Sequence, residues 1–478
     1  MITETQLPKG WKKTTLGAEF EWSSGGTPKS GTPAYYENGT IHWLNISDLN
    51  DGLISCAEKQ ITELGLKESS AKIVPKNSVL IAIYGSIGKL GINTIPLATN
   101  QAICFTKKIP EYISNKFLFY YLLSIRNQLI SMGKGGTQQN ISQTVLKAVP
   151  FFYPTNKETQ QAIVNKIESL FAEIDAGIAS LKTAQKQLKQ YRQSLLKNAF
   201  NGELTKQWRL ENADRLPSAN ELLAQIQAAR EQHHAQQLAD WKTTVKQWEQ
   251  TGKQGKKPSK PKAPTQAVKF EENFADLPNG WLKTKFGNTT EVFIGSTPSR
   301  KNNEYWNGDI FWVSSGEVKF SNIVDTKEKI TYLGLNNSST TIHPIGTVML
   351  AMIGEGKTRG QVGILKIEAC HNQNTAAIRV NKEYLLSEYL YYFLMFNYEQ
   401  TRRIGSGNNQ KALNKSVIEN MFFPLCSLAE QTQIVAILEN KLTACDQLAT
   451  ELETQLKQAE LLKQAVLKSA FSGSLLDK

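Results

Sequence analysis

The sequence has 478 residues and a net charge of +12 from 55 basic and 43 acidic residues, a length that suits roughly two to four domains. Its five cysteines are scattered and form no Cys-x-x-Cys pair, which excludes a disulfide scaffold and gives no spacing for structural zinc. The longest apolar run has eight residues, Tyr389 to Phe396, and the first residues carry no apolar signal segment. We therefore expect a soluble, cytoplasmic protein that does not enter a membrane.

The positive charge is concentrated in one stretch of the chain. Eight lysines and a single acidic residue, Glu249, lie between Lys242 and Lys269. Lysine-rich stretches of this kind are typical of solvated spacers. The total charge is therefore weak evidence for a nucleic-acid partner.

A self-similarity with a period of about 270 residues spans almost the whole chain. Three of the repeated motifs are Leu7-Pro8-Lys9-Gly10-Trp11 with Leu277-Pro278-Asn279-Gly280-Trp281, Gly26-Thr27-Pro28 with Ser296-Thr297-Pro298, and Asn100-Gln101 with Asn372-Gln373. The motifs keep their order, and each copy is long enough to form a domain. The sequence is therefore an internal duplication.

Each copy begins with a globular half. Short apolar runs bounded by glycine and proline, such as Val79 to Tyr84 and Thr347 to Leu350, predict buried strands. Helices are predicted over Lys116 to Ser131 and over Ser387 to Arg403, where aromatic residues and leucines recur at helical spacing. We interpret these aromatic residues as ordinary core.

Each copy ends in a helical half. From Glu158 to Phe200 and from Glu430 to Phe471, apolar residues recur every three or four positions without an intervening proline, which predicts two helices of roughly 64 Å. A rod with so narrow an apolar stripe needs a partner, and we expect the two helices to pair as an antiparallel coiled coil. The predicted coiled-coil and partner seam consists of Ile163, Ile167, Leu170, Ile174, Leu181, Leu188, Leu195, Ile434, Leu438, Leu442, Leu452, Leu456 and Val466.

One segment between the two copies occurs only once. Ser218 to Trp248 has a helical pattern, and the following Gly252 to Pro264 is rich in lysine and proline. The pair His233-His234 is placed on the surface of this predicted helix. We predict an inserted helix followed by a flexible basic linker.

Two patterns in the second copy resemble catalytic motifs. Ala351 to Thr358 has the spacing of a phosphate-binding loop, but the apolar strand runs on where that loop should already turn. Asp309 with Glu317 and Lys319 resembles the magnesium site of nucleases, whereas the first copy offers only Asp48. The five histidines show no metal-ligand spacing. We therefore expect neither catalytic residues nor a metal site.

Several motifs together resemble one family. These are the Leu-Pro-x-Gly-Trp openings, the Thr-Pro turns, Glu158-Thr159-Gln160 and Glu430-Gln431-Thr432-Gln433 near the helix starts, Ala-Phe-x-Gly near the helix ends, and Gly202-Glu203-Leu204-Thr205 before the linker. From about Leu7 to Leu475 the chain resembles the specificity subunit of a type I restriction-modification enzyme. No single motif is diagnostic, so the resemblance rests on the combination.

The resemblance implies a fold and a function. The fold would be α+β, with two mixed α/β target recognition domains separated by two long helices that pair as an antiparallel coiled coil with pseudo-two-fold symmetry. The implied domains are target recognition domain 1 at 1–157, a central spacer helix at 158–204, a helical insertion and basic linker at 205–269, target recognition domain 2 at 270–428 and a C-terminal spacer helix at 429–478. Such a subunit is not an enzyme. It binds an asymmetric bipartite site on double-stranded DNA.

The implied partners are two methylation subunits and, through them, restriction subunits. This chain would bind no cofactor itself, while the partner subunits would use S-adenosylmethionine, ATP and Mg²⁺. A protein-interaction scaffold built on the coiled coil, without DNA specificity, remains the alternative. An enzyme fused into the chain is a further one, and it would require one of the two catalytic patterns to be real.

Loops that carry amide and basic side chains supply the candidate DNA contacts, because amides and guanidinium groups bind base edges and cations bind phosphates. In the first copy these residues are Lys29, Ser30, Lys134, Gln138, Gln139 and Asn140. In the second copy they are Arg300, Lys301, Asn302, Lys357, Arg359, Asn408, Asn409, Gln410 and Lys411. The alternative interpretation of each is a polar turn that faces solvent.

Overall fold

The computed structural model describes residues 8–133, 139–253, 257–261, 263, 277–354, 356–404 and 413–476. The chain divides into two compact units, one formed by Met1–Gln185 with Thr450–Lys478 and the other by Lys186–Ala449. Each unit therefore contains one globular domain and a stretch of both long helices.

The described residues of the first globular domain form eleven strands and five short helices. The strands are β1 (Trp11–Thr15), β2 (Glu21–Ser24), β3 (Ile41–Leu44), β4 (Gly52–Ile54), β5 (Gln60–Ile61), β6 (Ile73–Val74), β7 (Val79–Ala82), β8 (Leu90–Asn93), β9 (Leu97–Thr99), β10 (Ile103–Lys108) and β11 (Pro150–Pro154). The helices are α1 (Leu16–Glu19), α2 (Glu63–Lys67), α3 (Asn115–Ser124), α4 (Arg126–Ser131) and α5 (Gln143–Ala148). The long helix α6 (Lys157–Phe200) follows.

A five-stranded sheet with the order β2-β10-β7-β8-β4 forms the centre of this domain. Side chains alternate between its two faces, because successive residues of a strand point in opposite directions. On β7, Val79 and Ile81 pack with the helices, whereas Leu80 and Ala82 pack on the opposite side with residues of the smaller sheet β5-β3-β9-β6. Burial on both faces explains why β7 is a continuous apolar run.

The second unit continues from α6 into the inserted segment and the second globular domain. The insertion forms α7 (Lys206–Glu211) and α8 (Ala219–Gln250). The strands of the domain are β12 (Leu282–Lys285), β13 (Thr290–Ile294), β14 (Trp306–Val313), β15 (Ser321–Ile323), β16 (Glu328–Ile330), β17 (Val348–Ala351), β18 (Val362–Leu365), β19 (Ala369–His371), β20 (Thr375–Val380) and β21 (Phe422–Leu425). Its helices are α9 (Phe286–Thr289), α10 (Tyr332–Asn336), α11 (Ser387–Phe396), α12 (Tyr398–Arg403), α13 (Lys415–Glu419) and the long α14 (Leu428–Phe471).

The second domain repeats the architecture of the first. Its five-stranded sheet has the order β13-β20-β17-β18-β15, and a smaller sheet β16-β14-β19 covers one face. On β17, Val348 and Leu350 pack toward the helices, and Met349 and Ala351 pack toward the smaller sheet. The structure thus confirms the duplication, including the predicted strands.

Both predicted long helices are present, and within each unit they run antiparallel. In the first unit, Ile163 and Ile167 near the start of α6 share a core with Val466 near the end of α14, and Lys463 forms an ion pair with Asp175. In the second unit, Leu195 near the end of α6 shares a core with residues at the start of α14. The predicted α+β class with antiparallel helix pairing is confirmed.

Two predicted helices are each interrupted once. The segment predicted as Lys116 to Ser131 forms α3 and α4, with a break at Ile125, and its counterpart forms α11 and α12, with a break at Asn397. Both residues leave the helical region of the backbone, with ψ near 9° and 5°. Neither position holds glycine or proline, so the breaks have no local signal in the sequence.

The inserted helix forms nearly as predicted. Ser218 caps its start, accepting a hydrogen bond from the Glu221 backbone while the Glu221 carboxylate accepts one in return. Leu222 and Ile226 bury its first turns against the core of the second domain. Across the described part of the chain, no helix has the length and apolar character needed to cross a bilayer.

Candidate nucleic-acid interface

In each globular domain, several loops meet at one edge of the five-stranded sheet, and some of them carry candidate DNA contacts. In the first domain, β2 and β7 end at this edge, and β4, β8 and β10 begin there. We call it the loop edge; it comprises residues 25–30, 45–51, 83–89 and 100–102. The loop edge of the second domain comprises residues 295–302, 314–320, 352–354, 356–361 and 372–374, placed by the same strand pairings.

The repeated Thr-Pro and Asn-Gln motifs join neighbouring loops of this edge. The hydroxyl of Thr27 donates to the side-chain oxygen of Gln101, and the hydroxyl of Thr297 donates to that of Gln373. A tryptophan indole N–H also donates a hydrogen bond to the backbone of each Thr-Pro turn. In the first domain, Trp43 donates to the Gly26 carbonyl oxygen at 2.9 Å. The motifs shared by the two copies therefore hold the loops in the same arrangement.

The acidic residues of the loop edges serve structural roles. The Asp48 carboxylate accepts hydrogen bonds from the backbone N–H of Asn45 at 2.7 Å and of Glu58 at 3.4 Å. Glu317, its counterpart, accepts from the backbone N–H groups of Ser314 at 2.6 Å and Lys327 at 2.7 Å. Because these carboxylates cap backbone N–H groups, the nuclease-like pattern is a duplicated loop cap.

The first-domain candidates occupy two neighbouring loops. Lys29 and Ser30 are exposed at the end of the Thr-Pro turn. The carbonyl oxygen of Gln139 accepts a hydrogen bond from Gly85 at 3.1 Å, and Asn140 pairs with Tyr84, so this segment lies against the turn that joins β7 and β8. Lys134 and Gln138 lie outside the described residues.

The guanidinium of Arg300 in the second domain is already bound within the protein, so it is not a free cation available to a phosphate. Its guanidinium forms a two-pronged ion pair with Glu328, lies 3.8 Å from the centre of the Trp306 ring, and has its pKa raised by the Glu328 hydrogen bond. Neighbouring Lys301 is exposed, whereas the side chain of Asn302 accepts a hydrogen bond from Glu304 N and caps a short helical turn. Of these three side chains, Lys301 is the one most available to a ligand.

Two further candidates, Lys357 and Arg359, lie between β17 and β18. Lys357 is exposed, and Arg359 is half-buried and donates to the Arg402 carbonyl oxygen at 2.6 Å. These strands are antiparallel neighbours, so the segment is a hairpin turn and not the strand-to-helix connection of a phosphate-binding loop. Asn408, Asn409, Gln410 and Lys411 lie outside the described residues.

All seam residues are at least partly buried. The buried ones are Ile163, Ile167, Leu195, Ile434, Leu438, Leu442, Leu452 and Val466. The half-buried ones are Leu170, Ile174, Leu181, Leu188 and Leu456.

Two buried glutamines connect the globular domains to the long helices. This role was not predicted from the sequence. The amide group of Gln160 donates to the Tyr112 and Pro154 carbonyl oxygens, both at 2.9 Å, and its oxygen accepts from Ser114 N at 2.9 Å. Gln431 makes the same three kinds of bond with Tyr384, Cys426 and Leu386. The repeated Glu-x-Gln motifs were the sequence signal, and Gln431, rather than Gln433, is the counterpart of Gln160.

A buried glutamate joins α7 to the start of α14 in the second unit. The carboxylate of Glu430 accepts hydrogen bonds from Thr205 at 2.7 Å, Arg209 at 2.8 Å and the indole N–H of Trp281 at 2.8 Å. Glu430 is 2% exposed, and its charge is balanced by the Arg209 guanidinium. The sequence suggested no role for α7, because the Arg209–Glu430 contact joins residues 221 positions apart along the chain.

Two histidines form a buried hydrogen-bond chain in the second domain. Arg379 Nε donates to His343 Nδ1 at 3.0 Å, and the Nε2 atoms of His343 and His371 lie 3.1 Å apart. His371 Nδ1 in turn lies 2.8 Å from the Thr375 hydroxyl. Burial lowers the pKa of His343 to about 3 and that of His371 to about 4, so both rings are neutral.

The tautomers of this chain follow from its first donor. Because His343 Nδ1 accepts from Arg379, its Nε2 carries the proton and donates to His371, whose Nδ1 then carries the second proton. The described residues contain no group of three or more His, Cys, Asp or Glu arranged for a metal. The expectation of surface histidines on the insertion holds for His233 only, since His234 is half-buried and its Nε2 is enclosed.

Comparison with known proteins places this duplicated architecture in a class of DNA-selecting proteins. The family described as "Type I restriction modification DNA specificity domain" matches residues 8–183 and 278–458, which together make up most of the chain. The chain belongs to this family. Its members are specificity subunits and not enzymes, which confirms the resemblance found in the sequence.

Several relatives support the assignment over part of their length. A stretch of 199 residues is 33% identical to the type I restriction enzyme EcoBI specificity subunit of Escherichia coli and covers 40% of this chain and 42% of that protein. Another of 195 residues is 30% identical to the EcoR124I/EcoR124II specificity subunit of Escherichia coli and covers 39% and 47%. The chain thus matches less than half the length of each of these curated relatives.

Two solved structures share the fold. A chain from a study of complex assembly and conformational transition of the type I R-M system aligns with a TM-score of 0.68 at 17% identity, covering 98% of this chain and 99% of that one. The HsdS subunit from Thermoanaerobacter tengcongensis aligns with a TM-score of 0.55 at 18% identity and covers 98% of each chain. At these identities the similarity concerns the fold.

Proposed function

We propose that this chain is the DNA-reading subunit of a type I restriction-modification complex and that each globular domain reads one half of an asymmetric bipartite site. One observation carries the proposal: the two loop edges share their strand order and Thr-Pro supports, but they carry different side chains. Two different half-sites require two domains that share one backbone arrangement but carry different side chains, because side chains that contact the bases specify the sequence.

The chemistry of the loop edges suits double-stranded DNA. Exposed lysines such as Lys29 and Lys301 are available to phosphates, while nearby acidic groups are engaged in caps and ion pairs. Next to the first loop edge, the exposed amide side chain of Gln139 can bind base edges in the major groove. In this proposal, lysines such as Lys29 and Lys301 supply affinity for any sequence, and other side chains of the loops supply the choice of sequence.

The long helices are proposed to dock two methylation subunits, and through them the restriction subunits. Each helix pairs along one apolar seam and leaves its other faces exposed and mostly polar, and the duplication presents each such face twice. S-adenosylmethionine, ATP and Mg²⁺ would be bound by the partner subunits. Mass measurement of the particle assembled with excess methylation subunit tests this arrangement, and saturation at one methylation subunit per chain would contradict it.

Methylome sequencing of cells with and without this chain tests the DNA-reading role. We expect one asymmetric motif with two specified halves and an unspecified gap to lose its methylation when the chain is removed. The alternative of a scaffold without DNA specificity predicts an unchanged methylome. A competition binding assay with the assembled complex, using DNA with and without the motif, separates the two functions directly.

A further inference from the structure

The turn that follows β7 in the first domain and the turn that follows β17 in the second are closed by equivalent backbone hydrogen bonds, but the two turns differ in length. In the first domain, Gly88 N donates to the Ala82 oxygen at 2.9 Å and encloses residues 83–87. In the second domain, Gly360 N donates to the Ala351 oxygen at 2.8 Å and encloses residues 352–359, of which 355 lies outside the described residues. We call these segments the first and second hairpin turns.

The first hairpin turn is held by an ion pair. Arg126, at the start of α4, donates from Nε to the Gly88 carbonyl oxygen at 2.8 Å and forms a two-pronged pair with the Asp51 carboxylate. The same carboxylate accepts from Leu90 N at 2.9 Å, at the start of β8. Arg126 and Asp51 therefore fix both the turn and the strand that leaves it.

The second hairpin turn is held at the same positions by an aromatic pair. Phe320 precedes β15 as Asp51 precedes β4, and both have a left-handed backbone, with φ of 49° and 58°. Tyr398 begins α12 as Arg126 begins α4; its ring lies 5.0 Å from that of Phe320, and its hydroxyl donates to the Lys357 carbonyl oxygen. The duplication has kept the two positions in contact while exchanging their chemistry.

Close packing at the glycine that closes each turn supports this equivalence. A Cβ on Gly88 would lie 2.9 Å from the Arg126 side chain, and one on Gly360 would lie 3.2 Å from the Tyr398 ring. Both glycines have a left-handed φ, of 82° and 85°. The side chains at positions 126 and 398 therefore lie close against the glycine that closes each turn.

The two hairpin turns also differ in what they expose. In the first, Tyr84 is 46% exposed and Ser86 is exposed, while Ile87 is buried as an anchor. In the second, Ile353 is 42% exposed and Lys357 is exposed. Because the two turns differ in length and composition but connect equivalent strands, they would present different chemical groups to a groove of DNA.

We propose that the hairpin turns read bases and that two positioning pairs fix the orientation of these turns. Asp51–Arg126 orients the first hairpin turn, and Phe320–Tyr398 orients the second. This inference rests on the proposed DNA-reading function. Arg126 and Tyr398 are not assigned contacts with DNA. They act by orienting Tyr84 and Ser86 in the first domain and Ile353 and Lys357 in the second.

The test uses the assembled complex with its methylation subunits and a DNA library varied at every position of the motif. Arg126→Ala should reduce discrimination among bases at one half-site by about tenfold, the scale of one lost base contact, and leave the other half-site unchanged. Tyr398→Ala, the matched variant, should do the reverse. The double variant Asp51→Phe, Arg126→Tyr should restore discrimination, because Phe320 shows that this left-handed position accepts a bulky ring.

A second readout separates positioning from general stability. The Asp51–Arg126 pair is partly exposed, so salt weakens it, whereas the aromatic pair is insensitive to salt. In the unaltered complex, raising the salt concentration should therefore lower discrimination more at the half-site affected by Arg126→Ala than at the other half-site. In the double variant, this difference between the half-sites should disappear.

The possible failures are distinguishable. Unchanged discrimination in Arg126→Ala, an equal loss at both half-sites, or a double variant no better than the single one would overturn the positioning role. If the unaltered complex showed no sequence preference, the proposed function itself would fail before any variant was compared.

Discussion

Acidification should destabilise the second globular domain selectively, because His343 and His371 are buried as neutral rings. Burial lowers their pKa values to about 3 and about 4, whereas an unfolded histidine titrates near 6.5. As pH falls through about 6.5, the unfolded chain binds protons that the folded domain does not, so stability is lost from there down to the folded pKa values. At about pH 5 the loss is about 2 kcal/mol for each histidine.

Hydrogen exchange of the full chain between about pH 8 and pH 5 measures this effect, after correction for intrinsic exchange rates. Protection of β14 and β20 should fall by roughly a thousandfold if both histidines contribute fully. The first domain is an internal control, since Val74 and Thr99 occupy the positions equivalent to the two histidines. Its β3 and β10 should show the smaller change.

A matched variant isolates the cause. His343→Val with His371→Thr copies the first domain and should remove the excess loss of protection at low pH, although it costs some stability because Arg379 loses its acceptor. The reasoning is refuted if the two domains lose protection in parallel, or if the double variant retains the full pH dependence of the original chain.

Three further predictions concern the helices and the loop edges. Gln160→Ala should destabilise the first unit by about 3 kcal/mol in denaturant unfolding, because it strands buried backbone groups, whereas Gln161→Ala on the exposed face should be nearly neutral. Lys29→Ala should weaken the complex on all DNA sequences and lower the salt slope by about one, while Lys108→Ala, at the other end of β10, should change neither. A fragment covering residues 1–215 should dimerise in ultracentrifugation and direct methylation to a palindromic site, because the end of α6 carries the same Ala-Phe pair as the end of α14; a stable monomer would contradict this.

Periodic segments were predictable from the sequence because their burial repeats with a fixed spacing. The helices α6, α8 and α14 begin and end within two residues of their predicted bounds, and the core of β7 lies where its apolar run predicted. The duplication also indicated correctly that both domains share one architecture. These features depend on local pattern, which a single sequence contains.

Features that depend on contacts between distant residues were not predictable. Arg126 and Asp51 are 75 positions apart, and their counterparts have a different chemistry, so comparison of the two copies conceals the pairing. Arg300 carries the right charge for a DNA contact, but Glu328, which binds it, lies 28 positions away. Sequence reasoning found the loops with suitable side chains, but it did not identify which side chains the fold already uses.

The hydrogen bonds of Gln160 and Gln431 bear on how such chains diversify. Each glutamine binds only main-chain groups of its globular domain: one N–H and two carbonyl oxygens. A backbone group is present whatever side chain its residue carries, so this attachment places little demand on the amino acids of the attached domain. A domain of unrelated sequence can be grafted onto the same helix if it keeps the local chain path. Recombination at the helix start could thus replace a whole domain while preserving the joint.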